Sequence, residues 1–227
     1  MATISANDVS KLAADPSLWN LTIENLVDQV ASVKAIPGGG SVSIITAALG
    51  IALVHKGISV SLKRSATDLV RHHNLVSLSA SLSSSMKALS SFADADASAF
   101  ESYLVARALP HATEIEIADR TKTMHNRLLR ATEVPLESAQ EMARGLELAG
   151  AALNLADGHV MSDVVAGTLL LHTSIRSVLL NVDANLDGIR DAAEREVLKL
   201  RKTEIEQASE MCFERIQDKL RARLVTS

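Results

Sequence analysis

Apolar positions recur along most of this chain at intervals of three and four residues, the spacing that gathers them on one side of an α-helix. Between Trp19 and Val33 they are Ile23, Leu26, Val27 and Val30, with Asn20 or Thr22 placed to cap a helix that stops before Pro37. From Val42 to Leu62 the chain is apolar nearly all round, as a central helix would be. Ser65 to Phe92 continues helical with many serines, and Asp94 to Leu109 is a further amphipathic run ending at Pro110. His111 to Thr132 is polar and charged, an outer helix expected to turn Ile115, Ala118 and Leu128 inward. Pro135 suits the first turn of the next helix, which runs through Leu155. A second apolar helix covers His159 to Val182. Residues 190–225 form a long closing helix with Leu198, Ile205, Cys212 and Ile216 along one side. The pattern predicts an all-α fold, a single domain over 1–227 with 1–18 as an N-terminal extension. Short loops make it an elongated antiparallel bundle of seven to eight helices.

Composition sharpens this picture at three points. The chain is 47% hydrophobic but only 2% aromatic, so its core must be built from Ala, Leu, Val and Ile, which let helices approach closely. The net charge of −4 is interspersed, with no basic stripe, which argues against nucleic acid as a partner. Cys212 is the lone cysteine, placed as a small core residue and suited to a reducing compartment. Two greasy stretches invite a membrane reading. Val42–Val54 gives way to His55 and Lys56 short of the ~20 residues a bilayer needs. Val160–Val182 carries Asp163, His172 and Arg176, which are expensive in lipid. Both read as buried helices of a protein outside the membrane. With no signal-peptide pattern at the N-terminus, the expected location is cytoplasmic.

The chemistry begins at Gly38-Gly39-Gly40-Ser41, directly before the first apolar helix. Three residues without Cβ let backbone N–H groups face an anion, helped by the helix dipole, with Ser41 as the expected N-cap. A plain interhelical turn is the competing reading, and the Lys-Ser/Thr of a P-loop is absent. Asp96 shares a helix face with Phe100, which pushes it toward a cleft where a raised pKa would suit proton transfer, while Asp94 could cap a helix. Asp163 follows Ser162 inside an apolar segment and needs a partner there; His159, four residues earlier, is the nearest candidate. His172 and Arg176 repeat that spacing. Asn181 and Asn185 would present two amides on one helix side, able to hold the polar edge of a heterocycle. Residues 183–194 satisfy the expression for an EF-hand loop, yet Arg190 stands where an apolar residue belongs and no second loop exists. The seven histidines have no zincin spacing, and neither a nucleophile elbow nor a Cys/His zinc pattern occurs, so neither metal nor covalent catalysis is expected.

Taken in order, Pro37-Gly-Gly-Gly-Ser41, Asp96-x-x-Ala99-Phe100, Leu109-Pro110, Val134-Pro135-Leu136, Ser162-Asp163 and Asn181-Val182-x-x-Asn185-Leu186 form a set with a familiar arrangement. In them the chain resembles the formiminotetrahydrofolate cyclodeaminase and methenyltetrahydrofolate cyclohydrolase family. The resemblance implies an all-helical domain, usually a homodimer, with a tetrahydrofolate derivative as substrate and no tightly bound cofactor. The reaction it implies is either hydrolysis of the 5,10-methenyl bridge or closure of 5-formiminotetrahydrofolate with loss of ammonia. Gly38, Gly39, Gly40 and Ser41 would bind an anionic part of the ligand. Asp96, or Asp163 with His159 beside it, would move the proton. Ser162, Asn181 and Asn185 would contact the heterocycle, with Lys63 and Arg64 drawing in the glutamate tail. Leu62-Lys63-Arg64-Ser65 replaces a lysine-rich segment common in the family, and His111 and His159 stand where Lys and Asn are usual. Those exchanges leave open a cyclase or lyase for another small amine or imine, or a non-catalytic binding module.

Overall fold

The computed structural model describes residues 17–65 and 67–225. The expected extension at 1–18 falls almost wholly outside them. The described residues form six α-helices and no strand: α1 (Ile23–Val30), α2 (Gly39–Lys63), α3 (Leu69–Arg107), α4 (Glu114–Leu155), α5 (Met161–Leu186) and α6 (Ala192–Val225). Single 3-10 turns at Leu18–Asn20 and Gly158–Val160 precede α1 and α5. Thr22 caps α1 by accepting from the Asn25 N–H. Thr113 and Glu116 close a reciprocal capping box at the start of α4.

The helix count is lower than the pattern predicted because two expected breaks are absent. Asp94 does not cap a new helix; α3 runs through it, and its carboxylate accepts from the Ser17 hydroxyl (2.6 Å) and the Leu18 N–H (2.8 Å), tethering the N-terminal segment. Pro135 lies inside α4 rather than in a first turn. The outer part of α4 also differs from expectation: Leu128 is buried, but Ile115 and Ala118 face solvent.

Long helices need a continuous seam to pack along, and the sequence supplies one at seven-residue intervals. Ile44, Ile51 and Ile58 on α2 and Leu75, Leu82 and Leu89 on α3 are all fully buried. Each such side chain contributes roughly 1.5–3 kcal/mol of burial. On α6 the same interval sets Leu198, Ile205 and Cys212 against the bundle, and burial pushes the Cys212 thiol pKa up. His172 on α5 stacks flat on Phe213 of α6 at 3.8 Å, and its Nε2 lies 3.0 Å from Glu210, which Arg176 also reaches at 3.6 Å. The spaced His–Arg pair therefore docks the closing helix.

The tightest approach is between α2 and α5, which run antiparallel. Gly50 meets Gly167 at their crossing, and a Cβ on Gly167 would collide with the Gly50 carbonyl oxygen. Residue 167 accordingly has no room for a methyl group. Both helices are long and apolar enough to cross a membrane by length and composition, yet only 56% and 50% of their apolar windows are buried within the chain. Leu49, Leu169 and Leu180 stand exposed on their outer faces.

Replacing Gly167 by Ala is expected to cost about 1–3 kcal/mol through forced separation of the two backbones. The urea midpoint of the variant should fall with its m-value unchanged, whereas Gly158→Ala, where nothing lies within contact, should leave the midpoint near wild type.

Candidate active site

At the end of the bundle where α2 begins, three helices bring polar groups to one point. The helix is capped by Gly38 rather than Ser41: its first internal bond runs from the Val42 N–H to the Gly38 carbonyl at 3.1 Å. Gly39, Gly40 and Ser41 thus occupy the first turn, whose N–H groups lack intrahelical acceptors. No described glycine has positive φ, so Gly39 and Gly40 enter α2 with ordinary helical backbone. Space is what Gly40 provides. A Cβ there would lie 2.5 Å from both the Asn181 amide nitrogen and an Asp96 carboxylate oxygen. Two side chains from α3 and α5 come down directly onto the backbone of α2.

Ser41 is fully buried and donates its hydroxyl to Asp96 Oδ2 at 2.9 Å, which is why it is not free to cap the helix. Burial raises the Asp96 pKa above the usual aspartate value, and hydrogen bonds from the Ser41 hydroxyl and N–H draw it part of the way back. The carboxylate opens on a cavity of about 260 Å³ walled by Ile36, Gly38, Phe100, Asn181 and Asn185 among others. Among the described lining residues Asp96 is the only ionisable one. A lone acid with a raised pKa, between amide groups and an aromatic ring, can exchange a proton with a neutral or cationic heterocycle.

Asn185 is held by a defect in α4. Pro135 has no N–H, so the carbonyl four residues earlier, on buried Ala131, loses its helical donor. Asn185 Nδ2 takes that place at 3.0 Å. The amide is thereby fixed at the edge of the cavity by a carbonyl that the proline set free. Sequence reasoning missed Ala131 as a functional position, although a proline deep in a helical pattern signals an orphan carbonyl one turn upstream.

The other expected site residues lie elsewhere. Asp163 pairs with Lys56 at 2.9 Å, not with His159, because His159 sits in the 3-10 turn before α5 and meets the Arg64 guanidinium at 3.1 Å. Ser162 and Lys63 are exposed at that same end. Eighteen residues of α5 separate Asp163 from Asn181, about 27 Å at the helical rise, and Lys63 is about 35 Å from Gly40 along α2. Within one chain, then, Lys63, Arg64, His159, Ser162 and Asp163 do not join Asp96. The EF-hand match is not a loop either: residues 183–186 are helical, Asp183 pairs with Lys202 at 2.9 Å, and Asp191 accepts from the N–H groups of Ala193 and Glu194. No group of three or more His, Cys, Asp or Glu among the described residues could hold a metal.

Residues 22–204 match the family model described as formiminotransferase-cyclodeaminase. The chain is 30% identical over 176 residues to a methenyltetrahydrofolate cyclohydrolase of Methylorubrum extorquens, covering 77% of this chain and 83% of that protein. It is also 30% identical over 222 residues to the formimidoyltransferase-cyclodeaminase of Sus scrofa, covering 95% of this chain but only 40% of that longer relative. In fold it is similar to the crystal structure of formiminotetrahydrofolate cyclodeaminase from Thermotoga maritima, with a TM-score of 0.79, 22% identity, and 91% and 98% of the two chains covered.

The Pro135–Ala131–Asn185 link predicts a specific coupling. Asn185→Ala alone should cost about 1–3 kcal/mol by orphaning a buried carbonyl. In a Pro135→Ala background, where the helix recovers its own donor, the same replacement should cost measurably less. A double-mutant cycle on urea unfolding checks it, and additive effects would refute the link.

Proposed function

This chain belongs to the formiminotransferase-cyclodeaminase family, and we propose that its Asp96 cavity acts on the one-carbon unit of a reduced folate. The substrate is a tetrahydrofolate derivative, and the enzyme uses no tightly bound cofactor. It hydrolyses 5,10-methenyltetrahydrofolate to 10-formyltetrahydrofolate, or closes 5-formiminotetrahydrofolate to the methenyl form with release of ammonia. The observation that carries this reading is the part-buried Asp96 carboxylate, bonded to Ser41 and set against Gly40 and Asn181 in a cavity with no other ionisable group among its described lining residues.

Both reactions pass through a tetrahedral carbon between N5 and N10, and both need one group that carries a proton. In hydrolysis, water adds to the cationic methenyl carbon while Asp96 accepts its proton. The same carboxyl then protonates N5 as the C–N5 bond breaks, leaving the formyl group on N10, and the hydroxyl proton of the tetrahedral carbon passes to solvent. In deamination N10 attacks the formimino carbon and gives its proton to the imino nitrogen; Asp96 then protonates the resulting amino group, which leaves as ammonia to give the methenyl cation. The raised pKa of Asp96 suits both directions, since a weakly acidic carboxyl both accepts and returns a proton readily. The amides of Asn181 and Asn185 orient the bicyclic head without adding charge. The first-turn N–H groups of Gly39 and Gly40 face an electron-rich edge of it.

The chain works as a single helical domain in a homodimer. Support comes from the outer faces of α2 and α5, where two strongly apolar helices are only about half covered by their own chain. A second copy laid across Leu49 and Leu169 would bury what one chain leaves exposed. A cytoplasmic location is supported by the buried, unpaired Cys212.

Loss of 5,10-methenyltetrahydrofolate absorbance, followed where spontaneous hydrolysis is slow, tests the function; a rate at background would refute it. Asp96→Asn should lower turnover by roughly 10²–10⁴-fold. With Asp96 as the base of hydrolysis, kcat should rise as pH climbs through a pKa above the usual aspartate value; with Asp96 as the acid of deamination it should fall over the same range. Stability should fall over that range, against the trend of hydrolysis and along with that of deamination. The folded form holds this proton to a higher pH than the unfolded form, so wild-type stability falls as pH rises from the ordinary aspartate pKa to beyond the raised one. The Asn variant escapes that loss: its Tm should match wild type at acid pH and exceed it near neutrality.

A further inference from the structure

The first turn of α2 lends its N–H groups unequally to the cavity. Ser41 gives its N–H to Asp96, while those of Gly39 and Gly40 have no acceptor within the helix. The Gly40 N–H belongs to the same planar, conjugated peptide unit as the Gly39 carbonyl, so whatever binds that carbonyl also acts on that N–H. The carbonyl receives more than its helical bond. Beside the α2 ladder, the Ser43 hydroxyl donates to it at 2.6 Å. Ser43 is buried, and its Oγ lies 2.8 Å from the Oγ of Ser177 on α5, one turn before Asn181.

The direction of these bonds follows from their chemistry. A hydroxyl has one proton, and a carbonyl can only accept. With the Ser43 proton on Gly39, the bond between the two serines is made by the Ser177 proton, donated to Ser43. The order is then Ser177 hydroxyl, Ser43 hydroxyl, Gly39 carbonyl, Gly40 N–H. This chain starts at a half-buried position on α5 and ends on the wall of the Asp96 cavity. Each bond in such a chain polarises the next, by roughly 10–30%. Helix stability does not explain the arrangement, because a serine bonded back to the carbonyl four residues earlier slightly weakens its helix.

Resting on the folate reading above, we propose that Ser43 and Ser177 are positioning residues for the head of the ligand. Neither lines the cavity; together they polarise the Gly39–Gly40 peptide and strengthen the Gly40 N–H as a donor to an acceptor atom of the bicyclic ring. Their effect falls on binding of the head and not on proton transfer, because Asp96 takes its hydrogen bonds from Ser41.

The test compares two replacements of the same shape in the full chain. Ser177→Thr keeps the hydroxyl and Ser177→Val lacks it, so a steric role would move both alike. Ser177→Val should raise the KM for 5,10-methenyltetrahydrofolate by roughly two- to five-fold with kcat near wild type, and Ser177→Thr should leave both near wild type. Ser43→Ala should raise KM at least as much, and adding Ser177→Val to it should change KM no further. In the ligand-free protein the Gly40 amide proton and nitrogen resonances should move upfield in Ser43→Ala and, by less, in Ser177→Val. Thr203→Ala, which deletes the same kind of bond on α6, is the control expected to leave KM and the Gly40 resonances unmoved. Thr and Val variants that behave alike, a fall in kcat with KM unchanged, or a Gly40 amide that stays in place overturns the relay and leaves the function standing. Absence of turnover in the wild type overturns the function; the Gly40 resonances then decide the relay alone, an upfield move supporting it and unmoved signals overturning it.

Discussion

Everything at the Asp96 end of the molecule depends on how closely α2 and α5 can lie together. Their contact at Gly50 and Gly167 leaves no space for a side chain on either backbone, and it fixes the register of two helices that run antiparallel for more than twenty residues. That register carries Asn181 down onto Gly40, where Asp96 arrives from α3. The polar groups are thus brought together by backbone proximity, and glycine at the crossing with an aromatic-poor composition is what makes such proximity attainable. A bundle built on larger side chains would hold its helices farther apart, and the three polar groups would not meet.

The part-buried acid imposes a second constraint. Its carboxylate is stabilised by Ser41 from the first turn of α2, while the surroundings favour the neutral form. A fully solvated aspartate would lose the upward push of burial, and one without Ser41 would lose the hydrogen bonds that oppose it.

Much of the architecture was readable from residue spacing, because the seams at Ile44–Ile51–Ile58 and Leu198–Ile205–Cys212 are periodic and local. Asp96, Phe100, Asn181 and Asn185 were legible for a related reason: each is a polar or aromatic exception on an otherwise regular helix face. What spacing did not convey is position along the bundle. Asp163 looked like Asp96, a carboxylate in an apolar helix, but antiparallel packing put it at the opposite end, satisfied by Lys56. Helix ends were misjudged where tertiary contacts overrode local signals. Asp94 went to the N-terminal segment, Ser41 went to Asp96, and Pro135 was absorbed inside α4 because another helix repaired the bond it broke.

That repair has a bearing on descent. Positions 135 and 185 lie on different helices and far apart in sequence, yet one hydrogen-bonding vacancy is created by the first and filled by the second. Drift at either site changes what is tolerable at the other: a lineage that lost the proline would release the asparagine from its structural duty, leaving only chemistry to preserve it. As long as α4 keeps its missing rung, exchanging the asparagine carries a cost in stability that a chain without the proline would not bear.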